Sequence, residues 1–435
     1  MKPSGLFVIF IAVAIPLLWF VPLAASHNDS LAIMSQYLGS VALILMGITQ
    51  LLATRIKGIE ALFGPMDRVY ILHKWLAVGA IVTALLHSEI DADVNGIELV
   101  AQLSDLAEDI AEIALNGLIF LLVVSLITII PYKLWKWSHR FIGLFFALAA
   151  FHYIYIEKPF SALEPIGLYV TAFCVIGILS YLYLLVPRRL GLNTAKYEVT
   201  DVVQHRNVTE IHLQPNGAGI SHQPGQFAFI NFESAGLTET HPFTISSAPN
   251  EQRKLTFMVK ALGSYSERLG TALKVGTTAR VSAAFGHFSL SKTTTPQVWI
   301  GAGIGITPFI AWAQALEPNQ TAPTRLYYCV RSRQDALYLA EFEAIATRVP
   351  NFELLLVVSG EDKRLSADRI ANELNDKLNW AHVYFCGPTP MRESLKAGLR
   401  EHGLRSSNFH NEEFEIRSGI EQWIQWFRRL FISNK

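Results

Sequence analysis

Apolar runs long enough to cross a bilayer, which takes roughly 20 residues each, make up most of the first 190 residues. Six stand out, near 6–24, 32–53, 70–88, 114–131, 138–156 and 166–186. In lipid a helix satisfies its own backbone hydrogen bonds. The pattern therefore predicts an all-α membrane bundle of six spans. The first run has Lys2 ahead and "PLAAS" behind, like a secretory leader. Its apolar core is longer than the roughly 7–15 residues of such leaders, so it is read as a span.

The whole chain has 435 residues, room for two or three domains. Its net charge is zero, which speaks against nucleic-acid binding. Cys174, Cys329 and Cys386 form no CxxC pair. Neither a disulfide framework nor a thiolate zinc site is indicated.

Loop charges predict the orientation. Arg55, Lys57 and Arg68 lie between runs two and three, Lys133, Lys136 and Arg140 between four and five, and Arg188 and Arg189 after six. The loop "EIDADVNGIELVAQLSDLAEDIAE" after run three has no Lys or Arg. The basic side is expected to be cytoplasmic, together with everything after residue 190. The localisation that follows is a multi-pass protein of the cell inner membrane.

The third run, "HKWLAVGAIVTALLH", carries His73 and His87, and the fifth carries His139 and His152. Fourteen helical residues rise about 21 Å, less than the roughly 30 Å hydrocarbon thickness. Each helix so offers one imidazole to each leaflet, at matching depths. On an ideal helix His87 returns to within about 40° of His73, but His152 falls about 140° from His139. The second pair needs a bend, with Gly143 the nearest candidate. Ionisable groups in spans are rare and tend to be functional. Four paired by depth fit bis-histidine ligation of two stacked haems, an electron path across the bilayer. Packed interfacial histidines, a metal site or a proton relay are the alternatives, and no carboxylate accompanies them within the spans. Arg68, Lys74 and Arg140 lie beside the inner pair. They are placed to neutralise haem propionates, or they simply follow the positive-inside pattern.

After Arg189 the period shortens. "KYEVTDVVQ", "VTEIHLQP", "GQFAFINF", "KLTFMVKA" and "ARVSAAF" are short β-rich runs between turn residues, which predicts a small antiparallel barrel. From about 295, "QVWI", "RLYYCV", "FELLLVV" and "HVYFC" alternate with helical stretches, which predicts a doubly wound α/β domain. Its first turn, "VWIGAGIGITPF", places Gly301, Gly303 and Gly305 between strand and helix, with Thr307 as the expected N-cap and Pro308 as the first helical residue. Such a turn favours an anion at the helix N-terminus. The next strand ends in "CVRSRQD". Arg331 and Arg333 stand where an NAD site often has an acid, and guanidinium forks suit a 2′-phosphate. NADPH is expected over NADH, the alternative being solvated loop arginines.

Over essentially its whole length the chain resembles the ferric reductase / NADPH oxidase superfamily. "HPFTISSAP" at 241–249 resembles that family's flavin signature. The resemblance implies that His241 contacts the FAD pyrophosphate, Phe243 packs on the ribityl and ring side, and Thr244 reaches flavin N5. Pro242 and Ser246 belong to the same motif. "GSYSERL" resembles a second phosphate-binding turn with Gly263, Ser264 and Ser266 as donors, and "YFCGPTPM" puts Cys386, Gly387 and Pro388 near the nicotinamide. "FHNEEFEIR" resembles the strand that lays an aromatic over the flavin, with Phe414 the first candidate and Phe409 the second. The histidine spacings resemble the family's haem pairs.

The expected architecture is a six-helix membrane bundle at 1–190, an FAD-binding β-barrel at 191–294 and an NADPH-binding doubly wound α/β domain at 295–416. "GIEQWIQWFRRLFISNK" adds an amphipathic extension at 417–435, for a membrane surface or for the protein itself. The expected enzyme is an NAD(P)H-dependent flavohaem transmembrane reductase or oxidase, with Thr244, Cys386 and Phe414 at the reacting centre. Its cofactors are FAD, two haem b and NADPH. Its acceptor is molecular oxygen or ferric iron, and no obligate protein partner is indicated. Glu89, Asp91 and Asp93 beyond His87 suit a cation, or are an ordinary acidic outer loop. A membrane cytochrome anchor fed by quinol or a partner protein is the alternative.

Overall fold

The computed structural model describes residues 2–27, 29–56, 58–90, 103–127, 130, 132–161, 163–185, 194–290, 294–319, 322–361 and 364–412. Asp91, Asp93, Arg188, Arg189, Phe414 and the extension from 417 lie outside the described residues. The chain forms two compact units, the second beginning at 191.

The first unit is helical. Its elements are α1 Pro3–Ala14, α2 Leu17–Ser26, α3 Ser30–Ala53, α4 Ile59–Phe63, α5 Met66–Glu89, α6 Ser104–Leu126, α7 Tyr132–His139, α8 Ile142–Tyr155 and α9 Pro165–Leu185. Among the described residues, five stretches are long and apolar enough to cross a membrane: Pro3–Ser26, Ser30–Ala53, Arg68–Glu89, Ser104–Leu126 and Pro165–Leu185. The run expected at 138–156 is not among them. A turn at Arg140 and Phe141 divides it between α7 and α8. The fourth run also differs, since α6 begins ten residues before 114. Asp105, Glu108, Asp109 and Glu112 end the apolar reading there. They do not end the helix, because Ala, Leu and Glu are strong helix formers. Ala107, Ala114, Leu118 and Leu121 line its buried face.

α3 packs on α5 and α9, and α6 packs on α8. Small residues allow the closest approach. A Cβ on Gly177 would lie 3.0 Å from Gly47 Cα. Leu6, Phe7, Phe10, Leu18 and Val21 remain exposed, an apolar surface suited to lipid.

The second unit begins with β1 Thr194–His205, β2 Val208–Pro215, β3 Phe227–Phe232, β4 His241–Thr244, β5 Leu255–Lys260 and β6 Thr278–Phe285. They form one antiparallel sheet in the order β4-β3-β6-β1-β2-β5. An isolated bridge from Ile245 to Phe257 ties its two ends together. Inward residues alternate with exposed ones, as Tyr197 and Val199 do on β1. They close a core with Ile211, Phe232 and Phe257. Helix α10, Ser264–Ala272, follows β5.

Five parallel strands complete the unit: β7 Gln297–Ala302, β8 Thr324–Val330, β9 Phe352–Val358, β10 His382–Cys386 and β11 Phe409–Glu412, in the order β11-β10-β7-β8-β9. The helices between them are α11 Thr307–Gln314, α12 Leu339–Arg348, α13 Ala367–Leu374 and α14 Thr389–Glu401. Val298, Trp299 and Ile300 are all fully buried, as a strand covered on both faces requires. The strand order reverses between β7 and β10, and ligands of doubly wound sheets bind outside the carboxyl ends at that point.

Candidate functional site

At the reversal the segments that end β7 and β10 touch. Gly303 adopts φ +56°, a turn that glycine makes without strain. A Cβ on Gly305 would overlap the Cys386 carbonyl, and one on Gly387 would lie 2.7 Å from Ala302 Cβ. Gly301 and Glu412 are the Cα partners of Cys386 on the two flanking strands. The Cys386 side chain is fully buried. Burial, and then the Glu412 carboxylate, push its thiol well above the ordinary range. It is a neutral packing group there, not a thiolate. Pro388 stands at the N-cap of α14.

Thr307 is not the cap that the sequence suggests. Gly303–Ile306 forms a 3-10 turn, so the cap falls on Ile306 and Thr307 and Pro308 are the first helical residues. The Thr307 hydroxyl donates back to the Ile304 carbonyl at 3.0 Å.

Arg331 and Arg333 follow β8 and are exposed. Arg333 Nε lies 3.5 Å from Glu361 Oε2, both side chains being largely exposed. Such a pair holds weakly, and the guanidinium stays available. The segment keeps its shape through Asp335 Oδ2, which accepts from the Ser332 N–H at 3.2 Å and from its hydroxyl at 2.8 Å.

The flavin-like motif forms β4 at the sheet edge, with Phe227 of β3 opposite Thr244 and Pro242 opposite Phe229. His241 lies 3.8 Å from the Tyr265 ring between centroids, 6.2 Å from Phe243, and 3.4 Å from Glu239 Oε2. Tyr265 is in the first turn of α10, so the two phosphate-like motifs meet. Within the second motif, Ser266 Oγ accepts from the N–H groups of Leu262 at 2.9 Å and Gly263 at 3.1 Å, and donates to the Gly263 carbonyl at 3.0 Å. Those expected donors are committed to their own turn, and Ser264 is the exposed hydroxyl that remains. Ser246 donates to the Thr256 carbonyl at 2.9 Å, a bond within the sheet.

Thr244 is 5% exposed, and its Oγ1 has no hydrogen-bond partner among the described residues. An orphaned buried hydroxyl costs about 1–3 kcal/mol, so a ligand with a matching group is favoured at this spot. The way to the parallel sheet is short. A Cβ on Gly286 would lie 3.2 Å from Phe227 Cδ1 and 3.5 Å from Glu412 Oε1. Phe409 belongs elsewhere. It opens β11, is 6% exposed, and packs with Phe385 in the core under α14. As a core residue at the far end of its strand it is no cover for a ring at the carboxyl ends.

In the helical unit the four histidines form two pairs. His73 and His139 have ring centroids 6.3 Å apart with planes at 54°, and His87 and His152 are 6.4 Å apart at 56°. The break at Arg140 and Phe141 supplies the bend that the angle of His152 requires. There Phe141 N–H bonds the Ser138 carbonyl at 3.0 Å, a tight i to i−3 contact.

Each Nδ1 has a hydrogen-bond partner. His73 Nδ1 donates to the Thr49 carbonyl at 2.9 Å, and His152 Nδ1 to the Ala107 carbonyl at 3.0 Å. His87 Nδ1 meets Ser35 Oγ at 2.9 Å, and His139 Nδ1 meets Ser125 Oγ at 3.0 Å. Ser125 gives its own proton to the Leu121 carbonyl at 2.7 Å, and Ser35 gives its proton to His87 O or Ile90 O at 3.0 and 2.9 Å. Both serines can thereby accept from Nδ1–H. The carbonyl contacts fix the proton of His73 and His152 on Nδ1, which leaves the Nε2 lone pair to ligate a metal. Two imidazoles, each about 2 Å from one metal through a ring nitrogen, put their centroids roughly 6 Å apart, as observed. The described residues contain no cluster of three or more His, Cys, Asp or Glu groups that would hold an ion.

Sequence reasoning missed Glu412, Tyr265, Ser35 and Ser125. Ser125 had a visible signal, since it is a lone hydroxyl in the apolar end of α6, whereas Ser35 stands among Gln36, Tyr37 and Ser40 and gave none.

Three family models match in chain order. Residues 38–150 match the ferric reductase like transmembrane component, 192–300 an FAD-binding domain and 299–397 an oxidoreductase NAD-binding domain. The first match holds His73, His87 and His139 and stops two residues short of His152. The electron transfer component of toluate 1,2-dioxygenase from Pseudomonas putida is 28% identical over 198 residues, 44% of this chain and 58% of that protein. The glycine betaine monooxygenase reductase subunit of Chromohalobacter salexigens is 26% identical over 219 residues, 46% of this chain and 59% of that one. The chain thus spans less than two thirds of the length of these relatives. The flavohem-like FAD/NAD binding domain of nitric oxide dioxygenase from Vibrio cholerae O1 biovar El Tor aligns with 51% of this chain and 98% of that one, at 23% identity and a TM-score of 0.45. With ferric-reductase-like helices, an FAD-binding domain and an NAD-binding domain in that order, the chain has a ferric-reductase/NADPH-oxidase-like architecture.

Proposed function

We propose that this protein is a transmembrane oxidoreductase that moves electrons from cytoplasmic NADPH, through FAD and two b-type haems, to an acceptor on the other side of the membrane. The matched pairs His73/His139 and His87/His152 carry this reading. A bare ion bound by one pair would lack ligands, whereas a haem would be held by the two imidazoles of each pair, His73 with His139 and His87 with His152, and would supply one-electron transfer. When bound, NADPH supplies a hydride, FAD divides the electron pair, and each haem carries one electron at a time.

The chain's own groups hold and separate these parts. The six apolar runs, including the one broken into α7 and α8, form six spans. The close approach of Gly47 and Gly177 and the buried face of α3 help to order them. Arg331 and Arg333 bind the 2′-phosphate. Gly303, Gly305 and Gly387 admit the nicotinamide nucleotide to the crevice, and neutral Cys386 packs beside it. Thr244 offers its unpaired hydroxyl to the flavin ring edge, and His241 and Ser264 face its phosphates. Phe414 covers the flavin until nicotinamide arrives.

The lysine- and arginine-bearing loops favour nucleotide domains in the cytoplasm and a protein of the inner membrane. Exposed Glu89 and Asp105 border the ends of α5 and α6 beyond His87, and exposed Glu108, Asp109 and Glu112 follow on α6 at and inward of Ala107, whose carbonyl bonds His152. This acidic rim favours a cationic acceptor, ferric iron, over the build-up of an oxygen anion. Purified protein should carry about two haems per chain with a low-spin spectrum. A preparation that folds, binds FAD and takes up no haem would overturn the reading.

A further inference from the structure

Two residues with left-handed backbone geometry stand on the two sides of the boundary between the antiparallel and parallel sheets. Arg206, φ 40°, forms the tip of the β1–β2 hairpin, and Tyr338, φ 59° and ψ 18°, immediately precedes α12. Neither is a residue type that adopts this region cheaply. Such conformations persist where the surroundings hold them. Each residue bonds to the other side. Arg206 Nη1 donates to Asp335 Oδ1 at 3.3 Å, and the Tyr338 hydroxyl donates to Glu210 Oε1.

Glu210 is only 7% exposed. Its Oε2 also meets His205 Nε2 at 2.8 Å, and its Oε1 meets His212 Nε2 at 2.9 Å. The clasp is braced on both sides. His212 Nδ1 lies 3.3 Å from Thr256 Oγ1 of β5, and Glu341, beside Tyr338, accepts from Gln314 of α11 at 2.8 Å. The held segment is 331–338, which carries Arg331 and Arg333. Its anchor points, Asp335 and Tyr338, are thus tied to the barrel hairpin as well as to its own domain.

We propose that Glu210, Tyr338 and Arg206 are positioning residues for nucleotide recognition. They register the 331–338 segment on the flavin barrel. A nucleotide gripped there by its 2′-phosphate then reaches the carboxyl-end crevice beside Cys386 in the correct register. The proposal rests on the reading of Arg331 and Arg333 as 2′-phosphate contacts.

The test compares NADPH and NADH steady-state kinetics in the full-length, membrane-extracted protein and in Glu210→Gln, Tyr338→Phe and the surface variant Arg206→Ala. Glu210→Gln and Tyr338→Phe should each raise KM for NADPH about tenfold, the scale of one lost bond to a charged group, and Arg206→Ala, which loses an exposed pair, about two- to threefold, with kcat and the NADH constants changed less than about twofold. Tyr327→Phe is the control. It removes the 2.6 Å Tyr327–Glu373 bond inside the parallel-sheet domain, and should lower the melting temperature without moving the NADPH to NADH ratio. An unmutated protein indifferent to the 2′-phosphate overturns the arginine reading and the proposal together. A discriminating protein whose ratio is unchanged in all three clasp variants, or changed equally by Tyr327→Phe, overturns the proposal alone.

Discussion

His87 faces His152 across 6.4 Å with the ring planes at 56°, and fourteen residues back along α5 His73 stands in nearly the same relation to His139. One helix thus supplies a ring to both pairs, and the broken helix α7/α8 supplies the others. Two sites this alike, stacked at different depths, fit a relay better than two unrelated metal sites.

The serines behind two of these rings should tune ligation. Ser35→Ala and Ser125→Ala remove the acceptors of His87 and His139 Nδ1–H. Loss of such an outer partner lowers metal affinity by roughly 10–100-fold. Haem-transfer kinetics should show faster loss from the outer site in Ser35→Ala and from the inner site in Ser125→Ala. Equal retention in both variants would show that the helix backbone alone fixes the rings.

Arg331 and Arg333 should set nucleotide preference. Each charge-assisted bond to a 2′-phosphate is worth about 1.5–3 kcal/mol. Neutralising both should raise KM for NADPH far more than for NADH, measured as the ratio of kcat/KM values. The exposed pairing of Arg333 with Glu361 will not mask this, because it is weak in water.

Thr244 gives opposite signs in two assays. Thr244→Val removes an unpaired buried hydroxyl at nearly constant volume. The flavin-free protein should melt no lower than the original, and FAD should bind about tenfold more weakly, the scale of one hydrogen bond. Thr244→Ser should restore flavin affinity. Unchanged FAD binding in the valine variant would remove Thr244 from the flavin site.

The Glu210 clasp predicts a pH window for the stability of the second unit. Burial alone would raise the Glu210 carboxyl, but bonds from His212, Tyr338 and His205 outweigh it and bring it from 4.5 to about 2. Its contribution is complete above pH 4.5 and is lost as pH falls toward 2. The Glu210 bond raises His212 above its ordinary 6.5, against burial. That contribution is complete below 6.5 and is lost as pH rises through the higher value. Melting temperature should therefore be greatest between about pH 4.5 and 6.5 from this cluster. His212→Asn should flatten the alkaline side and also weaken the acid side, since His212 makes the largest of the bonds that hold Glu210 low, and Glu210→Gln should flatten both.

Much of this was legible in the sequence, for physical reasons that differ by region. Strand runs such as "QVWI" and "KYEVTDVVQ" mark β7 and β1 because burial on two faces or one imposes its own period on the residues. The histidine pairing was legible because a helix converts spacing into depth. The start of α6 was not, since its acidic turns break an apolar window without breaking a helix. The break between His139 and His152 was visible only as an angle that did not close. The acceptors Thr49 O and Ala107 O were beyond reach, because any residue supplies a carbonyl. The Glu210 clasp joins β2 to the residue before α12 across more than a hundred residues, and no local pattern announces such a contact.

The central claim is electron transfer across a membrane through the four histidines. Sealed vesicles test it when the protein is inserted with its nucleotide domains outward, NADPH is added outside, and a membrane-impermeant ferric chelate is trapped inside. The account predicts reduction of the trapped chelate by the unmutated protein and its loss in His87→Ala, while direct NADPH-to-dye activity on the outer face persists. Undiminished reduction of the trapped chelate in His87→Ala, or reduction only of chelate on the same side as NADPH, would contradict it.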